Sequence, residues 1–403
     1  MSTARPKPGE RTASSPVEVL FAFLRLGLTS FGGPIAHLGY FRAEFVVRRQ
    51  WLDDHAFADL AALCQLLPGP ASSQVGYSIG LLRAGYLGGI AAWIGFTLPS
   101  AIAMVCFAYG ARALTGPIAV GALHGLMLVA VPVVAQALIG MARALCPDPR
   151  RAGIAIVVTL LACIGTSAIG QVAAIAGGAL AGLLLVGGTP AVAASGTAVP
   201  VSRRAGWIAL IAFAALLAGL PLLRQFTDST RLALFDAFYR AGALVFGGGH
   251  VVLPLLREAI VTPGWTTEST FLAGYGAAQA VPGPLFTFAA YLGAVVGTPA
   301  NGVAGAAIGL IGLSLPGLLL VTGVLPFWDA FRGSPRVQAA MRGAGAAVVG
   351  LLAAALYDPV WTRSVLSPAD FAVAWVGFAL LMLGRVPALF VCVLSAIAGA
   401  AGA

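Results

Sequence analysis

The chain has 403 residues, of which 59% are hydrophobic and only 9% charged, with a formal net charge of +9 and a mean hydropathy of +0.94. That leaves too little polar surface to cover a soluble globule of this length, so the composition points to an integral membrane protein. Its 52 glycines and 25 prolines suit transmembrane helices with close crossings and breaks, and the alternating segments of about ten residues that would mark a β-barrel are not found.

The first 16 residues are polar, carry Arg5, Lys7 and Arg11, and read as a cytoplasmic tail with no signal-peptide cleavage pattern. Apolar runs then predict thirteen α-helical membrane segments, over 17–40, 57–81, 86–111, 116–142, 152–167, 170–187, 206–223, 232–253, 269–295, 301–327, 337–356, 370–384 and 386–402. The pairs 152–167 with 170–187 and 370–384 with 386–402 are short for a core of about 30 Å, so each fits a hairpin as well as two crossings. The stretch 188–231, with its Gly/Ala/Ser/Thr/Pro run and one span, reads as a linker between a first unit, 17–187, and a second, 232–403. With the amino terminus inside, 14 Lys and Arg residues fall in inner loops and seven in outer ones, which supports that orientation. Basic residues occur one to three at a time between apolar runs, the pattern of topology-setting loops and not of a nucleic-acid surface.

The two units are repeats. Arg25-Leu26-Gly27 and Phe31-Gly32-Gly33-Pro34 match Arg240-Ala241-Gly242 and Phe246-Gly247-Gly248-Gly249 at an offset of 215, and Arg42 matches Arg257. After a one-residue slip, Trp51, Phe57, Gln65, Pro68-Gly69-Pro70 and Tyr77 match Trp265, Phe271, Gln279, Pro282-Gly283-Pro284 and Tyr291. Seven predicted spans separate Arg25 from Arg240, an odd number, so the repeats are expected to lie inverted in the membrane, with a substrate site where they meet.

Glycine and proline cost a helix about 1 and 3 kcal/mol relative to alanine. Gly32-Gly33-Pro34, Gly247-Gly248-Gly249, Pro68-Gly69-Pro70 and Pro282-Gly283-Pro284 are therefore expected to break their spans. A helix restarting there aims free N–H groups at an anion. Arg25 and Arg240 lie about two turns before the first breaks. An arginine inside apolar sequence is costly unless paired or hydrated, so both are candidates to neutralise an anionic substrate, although Asp236, four residues before Arg240, offers that one an ordinary helical ion pair. Gln65 and Gln279 either donate amide hydrogens to an oxyanion or satisfy broken-helix carbonyls. His37 and His250, near the first breaks, are candidates for carrying a proton.

The four histidines form no ligand pair and the five cysteines no C-x-x-C, so no metal, disulfide framework or cofactor is expected. No P-loop is present. No span carries acidic residues across its middle, which argues against a cation carrier.

The Phe31-Gly32-Gly33-Pro34 element, Arg42 with Trp51-Leu52, Gln65-Leu66-Leu67-Pro68-Gly69-Pro70, Phe246-Gly247-Gly248-Gly249-His250 and Gln279-Ala280-Val281-Pro282-Gly283-Pro284 together resemble the chromate transporter family in its long two-domain form. The resemblance covers nearly the whole chain. It implies export of the chromate dianion across the bacterial inner membrane, driven by the proton motive force and giving chromate resistance, with sulfate a natural competitor. Gly249 stands where the first repeat has Pro34, so the two breaks need not contribute equally. Rival readings are uptake or exchange of sulfate or another oxyanion, an anion channel, and a membrane-embedded enzyme acting on a lipid-linked substrate. The last would need a clustered nucleophile, acid or metal site that the sequence does not display, so no catalysis is expected. The sequence leaves a homo-oligomer open without indicating one.

Overall fold

The computed structural model describes residues 15–402 apart from 32, 114–115, 165–167, 187–200, 246–251, 298–300, 329–333 and 385. The first half contains α1 (Pro16–Thr29), α2 (Gly33–Phe41, continued by a π turn Arg42–Arg48), α3 (Asp54–Leu66), α4 (Ala71–Ala113), α5 (Pro117–Leu145), α6 (Pro149–Ile164) and α7 (Ala168–Ala181). The connector α8 (Arg203–Leu223) follows. The second half contains α9 (Thr230–Leu244), α10 (Val252–Leu256, continued by a π turn Arg257–Val261), α11 (Glu268–Ala280), α12 (Phe288–Val295), α13 (Gly302–Val324), α14 (Pro335–Ala355, carried on to Ser364), α15 (Pro368–Met382) and α16 (Ala388–Ala401).

The repeat reaches down to the residues that start its helices. A helix start leaves four N–H groups free, and a short polar side chain can take one of them. Ser15 accepts from the Val17 N–H at α1 and Ser229 from the Leu232 N–H at α9; Asp53 accepts from Ala56 at α3 and Thr267 from Thr270 at α11. Both pairs of caps are related by an offset of 214.

Four expected spans do not cross but turn back at their breaks. Phe23 of α1 stacks on Phe45 at 4.7 Å and meets Phe41 edge-on at 5.5 Å, while Glu18 reaches Arg49 at 3.4 Å. These pairings centre on positions 32–34, so α2 runs back along α1. Cys64 on α3 lies beside Ser78 on the first limb of α4, which places Pro68-Gly69-Pro70 at a hairpin tip. Likewise the Tyr291 hydroxyl donates to the Thr270 carbonyl at 3.0 Å and Tyr275 meets Phe288 edge-on at 5.7 Å, which puts Pro282-Gly283-Pro284 at another. The α10 segment folds back against α9 in the same way. Hydropathy does not separate these cases, because a 25-residue apolar run suits either one crossing or two limbs of about 20 Å each.

This geometry corrects the expected side of several charges. Glu18 at the start of α1 also lies 3.6 Å from Arg83, and the guanidinium groups of Arg49 and Arg83 sit over the Trp51 ring at 5.2 and 4.9 Å. The mouths of the first two hairpins therefore share one face with the start of α1. Arg42, Arg48 and Arg49 belong to that face and not to the opposite one.

Among the described residues, five helices have the length and hydropathy to cross a bilayer: α4, α5, α8, α13 and α14. Helix α4 itself reverses at Ala84-Gly85, where Gly85 has φ +66°, so that limbs 71–83 and 86–113 pack antiparallel and only the second is long enough to cross. A Cβ at Gly80 would collide with the Gly88 carbonyl oxygen, which is why the crossing needs glycine. The halves are interleaved. Helices α6 and α7 clasp α14, while α15 and α16 clasp α5. Outward-facing Val17, Phe21, Leu87, Ile90, Ile102 and Trp207 leave an apolar exterior suited to lipid.

Candidate functional site

The tips of the hairpins meet in two related contacts. The Gly69 N–H donates to the Val245 carbonyl at 2.6 Å, and the Gly283 N–H donates to the Ser30 carbonyl at 2.8 Å. Ser30 and Val245 are partners at offset 215 and Gly69 and Gly283 at 214, so each Pro-Gly-Pro tip of one repeat is tied to the first break of the other. The repeats thus join where their helices are interrupted. Gly33, Gly69 and Gly283 have φ of +78°, +125° and +95°, a region that residues with a Cβ enter only at a cost. Gly69 also approaches Gly317 of α13, and Gly283 approaches Ser100 and Gly27, so two of these tips leave no room for a side chain.

Beside this junction lies a cavity of about 310 Å³, lined among others by Gly33, Gln136, Gln279, Gly283 and Leu285. Gln279 turns a buried Nε2 toward no hydrogen-bond partner among the described residues. Gln136 donates to the Leu381 carbonyl at 3.4 Å. The first turns of α2 and of the 3₁₀ segment Leu285–Thr287 start at the cavity wall, and a helix start carries unpaired N–H groups and a partial positive charge. The wall therefore offers amide donors, the chemistry that holds an oxyanion without a metal. None of its described residues is charged.

The candidates named from the sequence divide. Gly33, Gln279 and Gly283 line the cavity, with Pro282 and Pro284 flanking it in the chain. Pro34 is the second residue of α2. Pro68, Gly69 and Pro70 form the tip tied to Val245, and Gln65 beside it is exposed. The broken-helix carbonyls there are satisfied by Gln74, whose Nε2 donates to Pro68 and Gly317 oxygens, both at 3.0 Å. Its partner in the repeat is Phe288, so repetition gave no signal for it. Arg25 is exposed among Val17, Phe21 and Leu28 on the outer face of α1, away from Gly27, which faces the second limb of α4. Arg240 forms the expected pair with Asp236 at 2.8 Å, and Arg224 joins the same buried carboxylate at 3.0 Å. His37 is 1% exposed, packs perpendicular to Phe96 at 5.2 Å, and has no hydrogen-bond partner on either ring nitrogen among the described residues. Gly32, Gly247, Gly248, Gly249 and His250 lie outside the described residues. No group of three or more metal-ligating side chains occurs among those described.

These features define a multi-pass α-helical membrane protein built on a duplicated unit, with a donor-lined cavity at the junction of its interrupted helices. The chain belongs to the chromate transporter family, whose model matches it twice, over residues 17–183 and 232–400. It is 31% identical to a chromate transport protein of Pseudomonas aeruginosa, across 84% of this chain and 80% of the relative. It is 28% identical to a probable chromate transport protein of Synechococcus elongatus, across 83% and 82%, and 24% identical to a chromate transport protein of Cupriavidus metallidurans, across 87% and 86%. No solved structure matches significantly.

Proposed function

We propose that this protein is a secondary carrier that exports chromate across the bacterial inner membrane, driven by the proton motive force, with the oxyanion held at the tip junction between inverted repeats. The observation that carries the reading is the pair of cross-repeat tip contacts, Gly69 to Val245 and Gly283 to Ser30, beside a cavity walled by amide donors. Among the described residues, three full-length helices, the second limb of α4, α5 and α8, lie between the hairpins of the two halves. That odd number brings the second set of hairpins in from the opposite face and supports inversion. Moving Arg42, Arg48 and Arg49 to the side of the amino terminus, and Arg257 to the other, changes the loop-charge count from 14 against seven to 16 against five. The larger bias supports a cytoplasmic amino terminus.

In this reading the backbone N–H group of Gly33 and those at the helix starts, with Gln279, hold the anion, and Gly283, whose own N–H is taken by the Ser30 carbonyl, shapes the turn that presents them. Gln65 and the Pro68-Gly69-Pro70 tip, with the Gly247-Gly248-Gly249 break, take the equivalent part in the other repeat. Arg25, which has no ion-pair partner among the described residues, supplies positive potential one to two turns below the junction. Arg240 is compensated by Asp236 and contributes less. His37 and His250 are the proton carriers. Sulfate, a tetrahedral dianion of similar shape, competes for the site. Uptake of labelled chromate into everted membrane vesicles should be saturable, inhibited by sulfate and lost with an uncoupler; uptake that an uncoupler leaves unchanged contradicts proton coupling.

A further inference from the structure

One wall of the cavity at the tips has a counterpart generated by the repeat, and the two walls differ at one informative position. Gly125 of α5 packs on the Ser395 carbonyl, as Gly343 of α14 packs on the Gly178 carbonyl, and Pro132 meets Gly377 as Gly350 meets Ala155. This register pairs α5 with α14 at an offset of 218. It therefore pairs Val133 with Leu351 and Gln136 with Ala354. The first member of each pair lines the cavity at the tips, and the second lines another of about 500 Å³. The α5 and α14 walls of the two spaces are thus related by the repeat, whereas Gln65 and Gly69, the partners of Gln279 and Gly283, do not line the second. The second is walled on its other side by Pro254, Arg257 and Glu258, and it has a methyl group at Ala354 where the first has the Gln136 carboxamide.

Resting on the reading of the tip cavity as the oxyanion site, we propose that Gln136 is a specificity-determining residue of that site, acting with Gln279. One amide hydrogen of Gln136 is anchored on the Leu381 carbonyl near the end of α15, which fixes the side chain and leaves the other for a ligand. Gln279 reaches the same space from α11, in the other repeat, with an Nε2 that is buried and unpartnered among the described residues. A buried donor left without an acceptor is costly, so the arrangement is explained by an acceptor that arrives with the substrate. Two neutral carboxamides set at fixed positions select a tetrahedral oxyanion by the spacing of its oxygens, whereas a cation would favour any anion. Ala354, at the matching place on α14, supplies no such group.

The test uses the full-length protein in proteoliposomes, with chromate and sulfate as probes. Gln136→Leu is expected to raise the KM for chromate about tenfold, the effect of losing one hydrogen bond to a charged group, with kcat little changed and with a shifted ratio of sulfate to chromate KM. Gln136→Glu should abolish saturable flux, since a carboxylate repels the anion, and Gln136→Asn should recover part of the loss. Ala354→Gln should transport as the parent does. Parental KM values in both Gln136→Leu and Gln136→Glu overturn the proposal while leaving the carrier reading intact, and equal loss for both anions overturns the specificity role. Absence of saturable chromate flux in the parent overturns the underlying reading itself.

Discussion

Gly33 separates the structural from the functional demand on the tips. It has φ +78°, yet a Cβ built on it meets nothing within 4 Å among the described residues, and it borders the cavity. Gly33→Ala therefore carries only the conformational cost of a Cβ at positive φ, about 1 kcal/mol, and the protein should still fold. The added methyl and any shift of the α2 start fall on the donor wall. Loss of one N–H contact to a dianion, about 1.5–3 kcal/mol, corresponds to a rise in KM of about ten- to 150-fold. Gly39, on the same helix, is helical, exposed and equally free of neighbours, so Gly39→Ala should gain up to about 1 kcal/mol and transport normally. The assay is chromate uptake in vesicles beside thermal unfolding in detergent with and without chromate. Parental KM and undiminished chromate protection in both Gly33→Ala and Gly33→Leu would refute the placement of the site.

Arg25→Ala should weaken chromate resistance while membrane expression and ligand-free stability persist, and Arg25→Lys should restore most of it because lysine keeps the positive charge; resistance assays beside immunoblots decide it. Asp236→Ala should destabilise by about 2–3 kcal/mol, below the value for a fully buried pair because Arg224 and Arg240 are 44% and 41% exposed; denaturation in detergent measures it. Replacing Pro68, Gly69 and Pro70 together with alanine should both abolish transport and lower stability, since a continuous helix would pull α3 away from the first limb of α4; a stable, active variant would show the hairpin tip to be dispensable. Single cysteines near Arg42 and Arg257, in a background lacking the five native cysteines, should label from opposite faces, and one near Arg83 should label with Arg42.

Much of the junction was legible because the duplicated motifs mark it: Gly33, Gln279 and the Pro-Gly-Pro residues are repeated, and repetition of rare residues at helix-breaking positions points to a shared site. The direction of the chain after each break was not legible. Proline and glycine say that a helix stops, but whether it kinks or reverses depends on partners such as Phe23 with Phe45 or Thr270 with Tyr291, which are fixed only by packing. That gap misplaced Arg42, Arg48 and Arg49. Gln74 and Gln136 escaped notice because their repeat partners, Phe288 and Ala354, are apolar, so the features that distinguish the two halves are the ones a search for repetition passes over. The Asp236–Arg240 pair was legible from its four-residue spacing, whereas Arg224, twelve residues away, required the fold.

The central claim is that this chain carries chromate through the tip junction. Counterflow in proteoliposomes holding the purified protein tests it most directly: vesicles preloaded with unlabelled chromate should transiently accumulate labelled chromate above equilibrium, sulfate should suppress the overshoot, and Gly33→Leu should abolish it. Labelled chromate that enters no faster than into protein-free liposomes, or an overshoot that Gly33→Leu leaves intact, would contradict the account.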